Sequence, residues 1–151
     1  METIGKYRVV RELGKGATAR VYLCIGPDSE RPVAVKVIRF GQDTAAMSRR
    51  MRKLFQNEGM VARRLDHPNI AKVYEGVVEE DFAYLAMEYI DGGSLHDVLK
   101  KRKRLTWDQA IQVGRQLTSA LEHAHNAGII HRDLKPGNLF VTKNGRIKLG
   151  D

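Results

Sequence analysis

The residues best suited to chemistry cluster in Ile129-Ile130-His131-Arg132-Asp133-Leu134-Lys135-Pro136-Gly137-Asn138-Leu139-Phe140-Val141, where a polar stretch leaves one apolar segment and enters another. That pattern predicts a loop emerging from a core and returning to it. Within it, Asp133 can orient a hydroxyl and accept its proton, and Lys135, two residues on, can neutralise a phosphoryl group in transfer. The amide oxygen of Asn138 suits a hard cation such as Mg2+, and Asp151, thirteen residues further on, supplies the carboxylate such a cation needs. A second candidate is Leu13-Gly14-Lys15-Gly16-Ala17-Thr18-Ala19-Arg20-Val21, whose glycines let backbone N–H groups approach a polyphosphate. An ordinary glycine-bearing hairpin explains the same residues. The third is Lys36, at the end of Val33-Ala34-Val35-Lys36. Its ammonium can pair with phosphate oxygens, or simply reach solvent from a strand end. A carboxylate to hold it is available at Glu58, which by itself reads as a surface helix residue; the order glycine loop, lysine, glutamate links the two.

Short β-rich runs are expected at Tyr7–Leu13, Ala19–Ile25 and Val33–Phe40, each bounded by glycine or proline turns. Ala45–Leu65 has a charged helical pattern and is stopped by His67-Pro68-Asn69, because a residue before proline avoids helical geometry. Ile70–Val78 and Phe82–Glu88 read as a hairpin pair, and Asp91-Gly92-Gly93 as a boundary. Ser94 with Asp97, and Thr106 with Gln109, have the spacing of capping boxes, so two helices are expected to start there. In the second, Ala110, Gly114, Leu117, Leu121 and Ala124 form an apolar stripe, and Gly128 is placed to stop it. Lys143-Asn144-Gly145 predicts a tight hairpin between Leu139–Val141 and Ile147–Leu149.

The 151 residues carry 26 Lys and Arg against 18 Asp and Glu, a net charge of +8. Two basic runs, Lys100–Arg104 and Arg49-Arg50-Met51-Arg52-Lys53, account for much of the excess and read as solvated loop or helix faces. No aromatic residues interleave with them, so no nucleic-acid partner is expected. One cysteine, Cys24, excludes a disulfide framework and is expected on a buried strand; with no signal peptide or long apolar run, it points to a cytoplasmic chain with no evident membrane segment. A dinucleotide-binding loop is excluded because the glycines precede a strand rather than a helix, and no P-loop motif occurs.

Taken together, these motifs resemble the eukaryotic-type protein kinase family, specifically its serine/threonine members, from about Tyr7 to the last residue. The resemblance implies an α+β, protein-kinase-like fold. Residues 1–90 would form an N-lobe with a five-stranded antiparallel sheet and a regulatory helix. Residues 91–151 would be an incomplete, mainly helical C-lobe with the catalytic loop. It implies transfer of the ATP γ-phosphate to protein Ser/Thr hydroxyls with Mg2+. By that likeness Gly14, Lys15, Gly16, Ala17, Thr18, Ala19 and Arg20 cover ATP. Lys36 pairs with its phosphates and is held by Glu58, while Leu13, Val21, Ala34 and Phe140 enclose adenine. Met87 is the gatekeeper, and the backbone near Glu88 and Ile90 binds the adenine edge. Asp133 is the catalytic base, Lys135 steadies the γ-phosphate, and Asn138 and Asp151 hold the metal. His131 is expected to pack inward as a structural residue. His123 and His125, two apart on a helix, are expected to face different sides.

Ala19 replaces the third glycine of the family's loop, a change expected only to stiffen it locally. The sequence stops at Asp151, the first residue of the expected Asp-Phe-Gly triplet, so the activation loop and most of the C-lobe would lie outside these residues. The 151-residue polypeptide alone is then expected to fold poorly and transfer little phosphate. The compact loops suggest a bacterial member. The alternative is a non-catalytic kinase remnant that binds nucleotide or a partner protein. A small-molecule phosphotransferase of related fold fits Lys135-Pro136 less well.

Overall fold

A computed structural model of the chain describes residues 2–16, 19–28, 30–40, 45–129 and 134–150, and at positions 45–48 and 58 the backbone alone. These residues form two compact units, Met1–Arg64 with Lys72–Tyr89, and Leu65–Ala71 with Ile90–Asp151.

The first unit is a six-stranded antiparallel sheet with one helix. Its strands are β1 (Thr3–Ile4), β2 (Tyr7–Lys15), β3 (Ala19–Ile25), β4 (Pro32–Arg39), β5 (Val73–Val78) and β6 (Phe82–Glu88), in the order β1-β2-β3-β4-β6-β5. The expected five strands are therefore six. The extra one is β1, which folds back across Gly5-Lys6 so that Thr3 pairs with Arg8 and Ile4 with Tyr7. Gly5 makes this possible: its φ is +55°, and a Cβ there would lie 2.2 Å from the Tyr84 hydroxyl oxygen. A two-residue strand shows no alternation, which is why the pattern of the sequence passed over it.

On β4 the alternation is plain. Val33, Val35 and Val37 turn into a core with Tyr7, Cys24, Tyr84 and Ala86. Helix α1 (Ala45–Arg63) packs on β5 and β6. Phe55 supplies its buried side chain, and Leu85 of β6 lies 3.3 Å from where a Cβ of Gly59 would stand.

In the second unit, α2 (Leu95–Arg102) and α3 (Trp107–Asn126) begin at the two expected capping boxes. The Ser94 and Thr106 hydroxyls accept from the backbone N–H of Asp97 and Gln109, and both reciprocal bonds are present. The antiparallel pair β7 (Leu139–Val141) and β8 (Ile147–Leu149) is joined through Lys143-Asn144-Gly145, with Gly145 at φ +82°. Leu65, Ile70, Leu95, Ala120, Leu139, Ile147 and Leu149 form the core.

Two expectations shift here. The buried face of α3 runs through Val113, Leu117, Ala120 and Ala124, whereas Ala110 and Gly114 are exposed. Small residues fit either face, so Ala and Gly fixed the stripe's phase poorly. Ile70 leaves the expected hairpin: β5 starts at Val73, while Ile70 is buried in this core and bridges Leu149 in parallel.

Candidate active site

In the first unit, the glycine-loop strands and the lysine strand are in register. Gly14 pairs with Val21, Val21 with Lys36, and Lys36 with Leu85. Residues paired across antiparallel strands share a face, so Val21 and Lys36 project to one side, away from the side of Val33, Val35 and Val37. Ala34 and Met87, paired with one another, belong to the Lys36 side as well. Lys36 and Met87 are half-buried, and Ala34 is buried. Leu13 is half-buried, whereas Gly14, Lys15, Gly16 and Arg20 are exposed at the free end of the hairpin. The Gly16 N–H closes the loop on the Ala19 carbonyl at 2.8 Å. Ala17 and Thr18 lie outside the described residues. A Cβ on Gly14 would meet nothing within 4 Å among the described residues, so none of their contacts demands glycine there.

Glu58 follows from α1 by position alone. Its neighbour Gly59 packs on Leu85, the cross-strand partner of Lys36, which sets this turn of the helix over the lysine's strand pair. At the end of β6, the Glu88 N–H donates to the Lys72 carbonyl at 2.8 Å, and a Glu88 carboxylate oxygen accepts from the Lys72 N–H at 3.3 Å. Ile90 belongs to the second unit.

In that second unit, Lys135 is exposed at the entry to a 3-10 turn, Pro136–Asn138, whose end feeds β7. The β7–β8 register, Leu139 with Leu149, brings Asn138 opposite Gly150. The Gly150 N–H donates to the Asn138 carbonyl at 2.8 Å. One proposed metal ligand is thus bonded to the residue immediately before the other. Gly150 also lies so close to Phe140 that a Cβ would stand 2.4 Å from its ring. His131, Asp133 and Asp151 lie outside the described residues.

The hairpin is held from behind by residues that sequence reasoning passed over. Gln116 of α3 accepts through one oxygen from the Asn69 side-chain amide at 2.9 Å and from the Ile147 N–H at 2.8 Å. The Asn69 amide also donates to the Ile147 carbonyl at 2.9 Å. The Leu149 N–H donates to the Asn69 carbonyl, and the Ala71 N–H to the Leu149 carbonyl. Asn69 was legible only as part of a helix stop, and a glutamine inside a helix carries no signal of so distant a partner. Gly92 is a third such residue: a Cβ there would stand 1.7 Å from the Val141 carbonyl oxygen, so only glycine lets residues 92–94 lie along β7.

Two polar clusters flank these elements. In the first unit, the Tyr7 hydroxyl donates to Glu75 at 2.6 Å and the Lys6 ammonium lies 3.2 Å from the same oxygen. The Tyr7 hydrogen bond is the main cause that holds the Glu75 carboxyl below its usual range, against its burial and with help from Lys6. In the second unit, His67 shares a 2.9 Å hydrogen bond with the Ser119 hydroxyl and faces the His123 ring at 5.2 Å, whereas His125 is exposed on another side of the helix. Burial and then the charge of His123 push His67 below the usual histidine range. Cys24 is fully buried, and desolvation pushes its thiol up to about 11, which leaves it unreactive near neutrality. Among the described residues, no helix is long and apolar enough to cross a membrane.

Comparison with known proteins agrees with this architecture. Residues 7–151 match the protein kinase domain family. The chain is 37% identical over 147 residues to the serine/threonine-protein kinase PrkC of Bacillus subtilis, covering 97% of this chain and 22% of that protein. It is 38% identical over 151 residues to the probable serine/threonine-protein kinase PknB of Lactococcus lactis, covering 97% and 23%. It is also 32% identical over 151 residues to the CBL-interacting serine/threonine-protein kinase 24 of Arabidopsis thaliana, covering 100% and 33%. The chain thus spans between about a fifth and a third of the length of these relatives. With a match over residues 7–151 and relatives named as serine/threonine-protein kinases in bacteria and plants, this chain belongs to the protein kinase family.

Proposed function

We propose that the chain carries the nucleotide-binding lobe and catalytic loop of an ATP- and Mg2+-dependent serine/threonine protein kinase. The observation that carries this reading is the Gly150 to Asn138 hydrogen bond at 2.8 Å, which ties Asn138 to the residue that precedes Asp151 in sequence. The amide oxygen of Asn138 and the carboxylate of Asp151 are ligand types that suit Mg2+, whose contribution when bound is to neutralise phosphate charge. In the same reading, the backbone around Gly14 and Gly16 lies over the ATP phosphates. The open space at Gly14, where no atom of the described residues requires glycine, supports that role. Lys36, held by Glu58, pairs with the phosphates, Leu13, Val21, Ala34 and Phe140 enclose adenine, and Met87 is the gatekeeper. The backbone near Glu88 and Ile90 provides its polar edge. Residues 1–90, apart from Leu65–Ala71 and Ile90, which group with the second unit, act as the small lobe, and 91–151 as the first part of the large one.

Asp133 orients the Ser or Thr hydroxyl of a protein substrate and takes its proton. The hydroxyl oxygen bonds to the γ-phosphorus, the bond to the β,γ-bridging oxygen breaks, and ADP leaves with the electron pair. Lys135 offsets the charge on the moving phosphoryl group.

The test incubates the full-length protein that carries this chain with γ-labelled ATP, Mg2+ and a generic basic protein. Label recovered as phosphoserine or phosphothreonine supports the reading. Nucleotide binding without transfer instead favours a non-catalytic remnant, and failure to bind nucleotide in the presence of Mg2+ overturns both.

A further inference from the structure

We propose that the turn between α2 and α3 is a docking surface for an anionic membrane, a role that does not depend on the kinase reading. Three observations carry it. The first is charge: Lys100, Lys101, Arg102, Lys103 and Arg104 are all exposed, and across residues 92–121 only Asp97, which interacts with Lys100, and Asp108 oppose them. The second is an unburied tryptophan. Trp107, three residues after the run, is 87% exposed. A large apolar ring in water beside a cationic cluster matches the headgroup boundary of a bilayer, where an indole ring seats and cations meet anionic lipid. The third is conformational. Lys103 closes α2 at φ +64°, with its N–H on the Leu99 carbonyl at 2.7 Å, the only non-glycine residue of positive φ among the described residues. Glycine would adopt that conformation at lower cost, yet the position holds another cation.

The alternatives fit less well. An acidic peptide needs a groove, and the cavities formed by the described residues near Lys6 and Asp28 belong to the first unit. Nucleic acid would be gripped by aromatics alternating with the charges, whereas here one ring follows the whole run. A fluid lipid surface asks only for exposed cations with an amphipathic anchor beside them.

Trp107 is the single tryptophan of the chain, so its own emission reports the contact. Adding vesicles of phosphatidylcholine with phosphatidylglycerol to the full chain at low salt is expected to shift that emission to the blue, while phosphatidylcholine alone leaves it unmoved. Each cation is worth about fivefold in vesicle affinity, so the triple variant Arg102→Glu, Lys103→Glu, Arg104→Glu is expected to lose about a hundredfold or more. Lys103→Gly separates function from folding: it is expected to weaken vesicle sedimentation about fivefold without lowering the melting temperature. An unmoved emission overturns the proposal. So does vesicle binding that survives the triple variant, which would assign it to the other basic run, and so does an emission shift given by polyglutamate or RNA but not by vesicles.

Discussion

Replacing Gln116 with leucine removes one oxygen and orphans two buried donors. That oxygen accepts from the Asn69 side chain at 2.9 Å and from the Ile147 backbone at 2.8 Å. Asn69 is 9% exposed and Ile147 3%, so neither donor finds water easily. The other amide proton of Asn69 keeps its bond to the Ile147 carbonyl, which pins Asn69 and prevents it from turning elsewhere. An unsatisfied buried donor costs about 1–3 kcal/mol. Two of them, less a little for the buried leucine, give a destabilisation of about 2–4 kcal/mol in the second unit. In urea unfolding followed by far-ultraviolet circular dichroism, that corresponds to a midpoint lower by roughly 1–2 M. Amide hydrogen exchange at Ile147 and Leu149 is expected to accelerate most, since β8 loses its anchor to α3. Gln112→Leu, one turn earlier on an exposed position, serves as control and is expected to change stability by less than about 0.5 kcal/mol. A Gln116→Leu midpoint indistinguishable from that control, with exchange at Ile147 unaltered, would refute the shared-acceptor reasoning.

Further predictions follow the same physics. Gly92→Ala places a Cβ 1.7 Å from the Val141 carbonyl oxygen, so backbone must move; a cost of about 2–3 kcal/mol and a melting temperature lower by about 10 °C are expected in a thermal scan. Tyr7→Phe deletes the hydroxyl donated to Glu75 and is expected to cost about 1.5–3 kcal/mol near neutrality. Because Glu75 titrates below its usual range in the fold, its contribution is complete above the ordinary carboxylate range and fades as pH falls through and below it. The Tyr7→Phe penalty measured by urea unfolding should therefore shrink between about pH 5 and pH 3. His67 behaves oppositely in charge: the fold favours its neutral ring, so stability is complete above the ordinary histidine range and declines as pH falls through it. Its ring protons in an NMR titration should show a lowered midpoint that rises in His123→Phe but stays below that of an exposed histidine, because burial is the larger cause.

Local signals in the sequence lead directly to local structure. Ser94 with Asp97 and Thr106 with Gln109 start α2 and α3, and Lys143-Asn144-Gly145 turns β7 into β8. Those caps and turns are decided within four residues, so periodicity and residue type suffice. The proposed roles of Gly14, Lys36, Glu58 and Asn138 rest on another kind of signal: phosphate and metal chemistry restricts which side chains could serve it. Features set by distant partners were not legible. Ile70 looks like part of β5, yet joins Leu149, because burial beside Leu65 and Leu139 outweighs its neighbours in sequence. Gln116 and Gly92 resemble unremarkable helix and linker residues until β8 and β7 arrive against them. The short strand Thr3–Ile4 depends on a positive φ at Gly5 and on the Tyr84 hydroxyl beside it. Neither leaves a mark in a two-residue segment.

The most direct test of the central claim compares phosphate transfer from γ-labelled ATP to a protein substrate by the full-length protein that carries this chain and by its Asp133→Asn variant, with Mg2+ present in both. The account predicts phosphate on serine or threonine at a rate reduced about a hundredfold or more in the variant, while nucleotide affinity stays within about twofold. Transfer that proceeds equally well without the Asp133 carboxylate would contradict it.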